Sequence, residues 1–198
     1  MEKINGKIAV VLLLDDEIKE EVNKISSDYK NNKILFEEQG GKCIPHITLF
    51  QTKVKNLSKE KAEELLSSIV LKLPIKLSLS RIDSFGGHFV FWHAEKEKEL
   101  ISLHKQSLFL SNFFDSEGEQ QADSEKLTLP EKQIENVREF GYPFVGEEWP
   151  PHITIAYTQN DPEIKQSFKN ITTLIKKVAL VEVGEFGTIK KILEVKSV

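Results

Sequence analysis

Pro45-His46-Ile47-Thr48 and Pro151-His152-Ile153-Thr154 are the same four residues in the same order, one copy in each half of the chain. Each copy runs on into apolar residues, Leu49-Phe50 after the first and Ile155 after the second. That pattern reads as a strand, in which alternate side chains share a face. His46 and Thr48 then point one way, as do His152 and Thr154, while Ile47, Leu49, Ile153 and Ile155 turn towards an apolar interior. An element repeated at matched places predicts two similar lobes packed about an approximate two-fold axis. The two His-x-Thr faces then meet across one groove.

The flanking sequence supports the repeat. Residues 7–14 form a continuous β-branched and aliphatic run, as in a strand covered on both faces. Asp15 follows as a cap for a helix with Ile18, Val22, Ile25 and Tyr29 at helical spacing. Ser58 opens a second helix through Ala62, Leu65, Leu66 and Ile69. Ile75, Leu77 and Leu79 alternate with polar residues as in a half-exposed strand. Phe89–Trp92 is extended, and a third helix is expected over about 95–111. In the second half, Pro130 starts a helix that Gly141 stops. Asp161-Pro162 predicts another helix carrying Ile164, Phe168 and Ile171. Two strands, 174–183 and 188–195, close the chain, and Phe186-Gly187 in their turn answers Phe85-Gly86 in the first half. Helices and strands interleave, so the class is α/β or α+β. Residues 115–128 read as an acidic surface loop between the halves, with five acidic residues between Asp115 and Lys126.

Composition narrows the function. The chain has 198 residues, with 27 Lys+Arg against 31 Asp+Glu for a net charge of −4. A nucleic-acid coat protein or a membrane-surface binder wants a basic excess, and this chain has none. A single cysteine, Cys43, permits no internal disulfide and fits a reducing, cytoplasmic compartment. The apolar run at Ile8–Leu14 is too short to span a bilayer and is followed by Asp15, Asp16 and Glu17 rather than a cleavage site.

The histidine pair carries the chemistry. Imidazole has an ordinary pKa of about 6.5, so one ring can accept a proton while its neighbour donates one. Two facing rings supply a general base and a general acid on opposite sides of a substrate. The hydroxyls of Thr48 and Thr154 can donate to the non-bridging oxygens of a phosphodiester. The rival reading of each histidine is a polar group satisfied at a strand end, and threonine favours strands in any case. Phe50 falls on the groove side by alternation, where it stacks on a base or else packs between lobes. Phe144 and Trp149, before the second motif, either cover the cleft or lie in the core. Cys43 points away from His46 on a strand and reads as a small buried hydrophobe. His88, His93 and His104 have no ligand spacing and read as surface or packing residues.

With its duplicated His-x-Thr pattern, matched flanks and bilobal repeat, the chain resembles the 2H phosphoesterase superfamily, which includes the 2′-5′ RNA ligase-like (LigT-like) proteins and cyclic nucleotide phosphodiesterases. The resemblance covers nearly the whole chain. It implies an α+β fold of pseudo-two-fold, bilobal form, with two antiparallel-rich sheets flanked by helices around a central cleft, in one domain over 1–198. It also implies metal-independent, cofactor-free hydrolysis of 2′,3′-cyclic phosphate or 2′-5′ phosphodiester bonds. Carried over residue by residue, His46 and His152 are the acid–base pair, and Thr48 and Thr154 hold the phosphate. Tyr157 stands near where many LigT-like members have an arginine, and can stack on a base or ribose. The implied partner is a nucleotide or short RNA bearing a cyclic phosphate or a 2′-5′ linkage, taken by a monomer with no membrane attachment. The alternatives are a nucleotide- or RNA-binding module without turnover, 2′-5′ RNA ligase activity from the same site, a metal-dependent hydrolase, and a scaffold that binds proteins through the acidic loop.

Overall fold

The apolar run at the start of the chain forms β1 (Lys3–Leu13), whose residues Ile8 to Leu12 are buried on both faces. A strand buried on both faces needs neighbours on both edges. In this computed structural model, which describes residues 3–36, 41–116 and 129–198, β1 lies antiparallel between β2 (His46–Ser58) and β7 (Lys177–Val183). With β3 (Ile75–Phe85), β4 (Phe89–Ala94), β5 (His152–Tyr157), β6 (Phe168–Ile175) and β8 (Ile189–Ser197) they form an eight-stranded sheet in the order β6-β3-β4-β5-β2-β1-β7-β8. Every ladder between these strands is antiparallel.

The helices are α1 (Asp16–Ser26), α2 (Lys59–Val70), α3 (Lys98–Ser107) and α4 (Glu131–Phe140). Their boundaries follow local chemistry. The Asp15 carboxylate accepts the Ile18 amide, the Ser58 hydroxyl accepts the Lys61 amide, and Gly141 ends α4 at φ +70. Ile18, Val22, Leu65, Leu66, Leu100 and Leu103 pack with Ile47, Leu49, Ile153 and Ile155 into the main core. The His-x-Thr side chains are left on the opposite face of the sheet. No described helix is long and apolar enough to cross a membrane.

The two-fold relation lies in the sheet. β2 and β5 meet at a single ladder pair, Ile47 with Ile153. Outward from that seam run β5-β4-β3-β6 on one side and β2-β1-β7-β8 on the other. The two antiparallel sheets expected are thus halves of one continuous sheet, joined at the seam, and each half draws strands from both halves of the chain. The Phe85-Gly86 and Phe186-Gly187 turns are consequently not equivalent: the first joins the two middle strands of its half, the second joins the outer pair.

The helix expected from Asp161 is absent. Residues 161–167 are irregular, and Phe168 begins β6, which pairs with β3. Phe168 is 63% exposed, so the periodic Ile164, Phe168 and Ile171 do not form a buried helical stripe. The β-branched Ile171-Thr172-Thr173 covers the open edge of β3 instead. The strand expected over 174–183 is correspondingly two strands, β6 and β7. Of the acidic loop, residues 117–128 lie outside the described residues; Asp115 pairs with Lys53 on β2.

Candidate active site

The seam brings the two motifs together. With Ile47 opposite Ile153, the antiparallel direction sets His46 level with Thr154 and Thr48 level with His152. The two histidines are then diagonal neighbours on one face, a relation of about 7–8 Å in a sheet of this kind. Both rings are half-buried, and both are wired alike. Nδ1 of His46 donates to the carbonyl of Ile44 at 2.8 Å, and Nδ1 of His152 donates to the carbonyl of Pro150 at 2.6 Å. A carbonyl can only accept, so in each neutral ring the proton sits on Nδ1. The His46 ring also has the Gly187 carbonyl as a partner, which His152 lacks.

Desolvation pushes the His46 pKa below the usual imidazole range, against carbonyls of Ile44 and Gly187 that favour the charged ring. Desolvation also pushes His152 down, to about 4, helped by electrostatic repulsion from the neighbouring His93 and His46 rings and opposed by the Pro150 carbonyl and Asp83. Both rings are therefore neutral near pH 7. A bound phosphate adds the opposite charge that lets one of them hold a proton. The shift has a consequence for stability. The unfolded chain takes up a proton at an ordinary imidazole below about pH 6.5, while folded His152 resists until about pH 4. Its contribution to stability is present above that window and is lost as pH falls through it. Replacing His152 with Gln therefore flattens the fall in urea midpoint between neutral and mildly acidic pH; a fall as steep as in the parent protein would contradict this placement of the ring.

One local irregularity, present in both motifs, shapes the rest of the face. In β2, Val10 pairs with Phe50 but Val11 with Thr48, so Leu49 is an extra residue. In β5, Val90 pairs with Ala156 but Phe91 with Thr154, so Ile155 is an extra residue. Each bulge shifts the alternation by one. Phe50 therefore turns into the core at 0% exposure, edge-on to Tyr142 at 6.1 Å. It is a packing residue and is not on the groove side. Gln51 takes its place, half-buried, which alternation from His46 misses. The same shift returns Tyr157 to the cleft face, stacked on Phe186 at 4.2 Å and edge-on to Phe89 at 4.8 Å. The repeat is thus His-x-Thr-x-x-Gln in one half and His-x-Thr-x-x-Tyr in the other.

The walls differ. Beside His46, β1 presents Leu13 and Val11, whereas beside His152, β4 presents His93 and Phe91. Phe91 stacks on the His152 ring at 3.7 Å. Trp149 is buried, donates Nε1–H to the Thr48 carbonyl at 3.1 Å and stacks on His104 at 4.2 Å. His104 in turn donates from Nδ1 to the Leu49 carbonyl and accepts the Gly146 amide. Both are packing residues that hold β2 at its bulge. Phe144 is half-buried against Phe85 and Tyr142. Among the described residues no group of three His, Cys, Asp or Glu side chains could hold a metal ion.

A family model described as the 2′-5′ RNA ligase superfamily matches residues 14–186. No curated protein matches the chain. Among solved structures, the protein TT0787 of Thermus thermophilus is similar at 17% identity and TM-score 0.59, over 96% of this chain and 97% of that one. E. coli LigT complexed with 3′-AMP is similar at 14% identity and TM-score 0.56, over 98% and 99%. E. coli LigT complexed with phosphate is similar at 13% identity and TM-score 0.55, over 99% and 98%. These likenesses concern the fold, and the family model spans most of the sequence. The chain belongs to the 2′-5′ RNA ligase superfamily of 2H phosphoesterases and is an enzyme of that type.

Proposed function

We propose that the protein cleaves 2′,3′-cyclic phosphate or 2′-5′ phosphodiester bonds in nucleotides or short RNA, with His46 and His152 as the acid–base pair and without a metal or other cofactor. On a cyclic phosphate, one Nε2 draws a proton from the water that attacks phosphorus. The other ring protonates the departing ribose oxygen, which opens the cycle to a phosphomonoester. Thr48 and Thr154 donate to the non-bridging oxygens, on which charge accumulates. On a 2′-5′ linkage the base activates the adjacent 3′-hydroxyl or water instead. The same pair operating in reverse joins ends.

The observation that carries this reading is the placement of the two rings on one face of the seam, each with Nδ1 tied to the carbonyl two residues back. Structures of E. coli LigT with 3′-AMP and with phosphate lend support from the fold. The test is a panel of 2′,3′-cyclic nucleotides and 2′-5′ dinucleotides, with products mapped by the position of the phosphate. A phosphomonoester product, a bell-shaped pH dependence and an unchanged rate in EDTA are expected. Saturable binding of every compound with no product would make the chain a binding module, and loss of rate in EDTA would point to a metal-dependent hydrolase.

A further inference from the structure

A third imidazole shares the catalytic face. His93 on β4 is the ladder partner of His152 on β5, and residues directly opposite in an antiparallel pair lie on the same side of the sheet. The two ring centroids are 6.3 Å apart. His93 is wired unlike the other two. Its Nε2 donates to Oδ1 of Asp83 at 2.7 Å, and Oδ2 of Asp83 accepts from Nε of Arg81 at 2.9 Å. Of the three cleft imidazoles, His93 is the one whose ring bonds a carboxylate. Arg81 and Asp83 cancel in charge, so a proton on His93 leaves this cluster net positive. Across the seam the position beside His46 is Leu13, which carries no charge. The groups facing His93 are Asp83 and Arg81 from β3, His152 from β5 and, beyond the seam, His46 from β2.

We propose that His93, held by Asp83, is the cation of this cleft, an imidazolium that binds the phosphate oxygens of the substrate beside His152. The inference deepens the phosphodiesterase reading and rests on it for the identity of the anion. It supplies the positive charge that Tyr157 does not. The same charge disfavours a proton on His152, which leaves the base role to His152 and the acid role to His46.

Sulfate is a suitable probe, because its own charge is constant over the range used. Binding is measured by calorimetry at about pH 5.5 and about pH 8.5, on either side of the ordinary imidazole value. The parent protein is expected to bind sulfate more tightly at the lower pH. His93→Gln should bind about tenfold or more weakly there, the weight of a charge-assisted hydrogen bond to an anion. His93→Arg, whose cation does not titrate, should hold sulfate at both pH values, an outcome that a merely structural role for His93 does not produce. With a cyclic nucleotide, His93→Gln should raise KM more than it lowers kcat. A Gln variant that binds sulfate as the parent does at both pH values overturns the proposal. If the Gln variant fails to fold, an Arg variant with the parent's pH dependence overturns it equally. Sulfate binding is read without turnover. An inactive protein that binds sulfate through His93 therefore removes the phosphodiesterase reading alone, and an active one whose binding ignores His93 removes this inference alone.

Discussion

Alanine at His46, or at His152, is expected to cut kcat on a 2′,3′-cyclic phosphate by about 10² to 10⁴, the usual weight of one positioned proton transfer. Both rings are half-buried at the cleft, and each donates from Nδ1 to a carbonyl two residues away. Removing either leaves the core intact, so the loss belongs to chemistry and not to folding. The two rings act on one substrate in one step. The double variant should therefore lose little more than the worse single variant, because once either proton transfer fails the other has nothing to complete. Steady-state kinetics of the three variants beside urea unfolding measures both claims. Near-parental turnover in either single variant would end the acid–base assignment, and Gln variants at the same positions separate lost proton transfer from lost volume.

Trp149→Ala is expected to cost about 3–5 kcal/mol of stability, the range for truncating a large buried aromatic. It is also expected to reduce turnover without touching substrate. The indole is 2% exposed, stacks on His104 and donates to the carbonyl of Thr48, one of the two proposed phosphate holders. Its loss opens a cavity and leaves that carbonyl unpaired at the same point of β2. Trp149→Phe keeps most of the volume and removes the donor, so its stability loss should be about 1–3 kcal/mol, that of one unsatisfied buried group. If the Ala variant unfolds within about 1 kcal/mol of the parent, Trp149 is not the clamp described. Unchanged activity in a destabilised variant would show that the Thr48 carbonyl does not need its donor.

The two motifs, the caps at Asp15 and Ser58 and the stop at Gly141 were legible because each is written in a few adjacent residues. Phe50 and Tyr157 show where such reading stops. Strict alternation sends Phe50 to the cleft and Tyr157 away from it, and one extra residue in each strand reverses both. A bulge is a mismatch in count between two strands, and β2 carries no sign of how many residues β1 will set against it. The repeated spacing of Gln51 and Tyr157 after their histidines was a signal, though a faint one, since the two side chains differ. Residues 161–175 fail for a related reason. Their apolar spacing suits a helix, and pairing with β3 decided otherwise.

The sequence by itself determined the strands of the two motifs and of the N-terminal run, which face of each motif is polar at its His and Thr, and that two imidazoles recur with hydroxyl companions, because side-chain periodicity and capping act over a few residues. Only the tertiary structure decided that strands distant in sequence share each half of the sheet, that Gln51 rather than Phe50 lines the cleft, and that His93 and Asp83 stand beside His152. Those are matters of register between distant strands. Register is set where burial of the whole apolar face is greatest, and no short stretch of residues contains that sum.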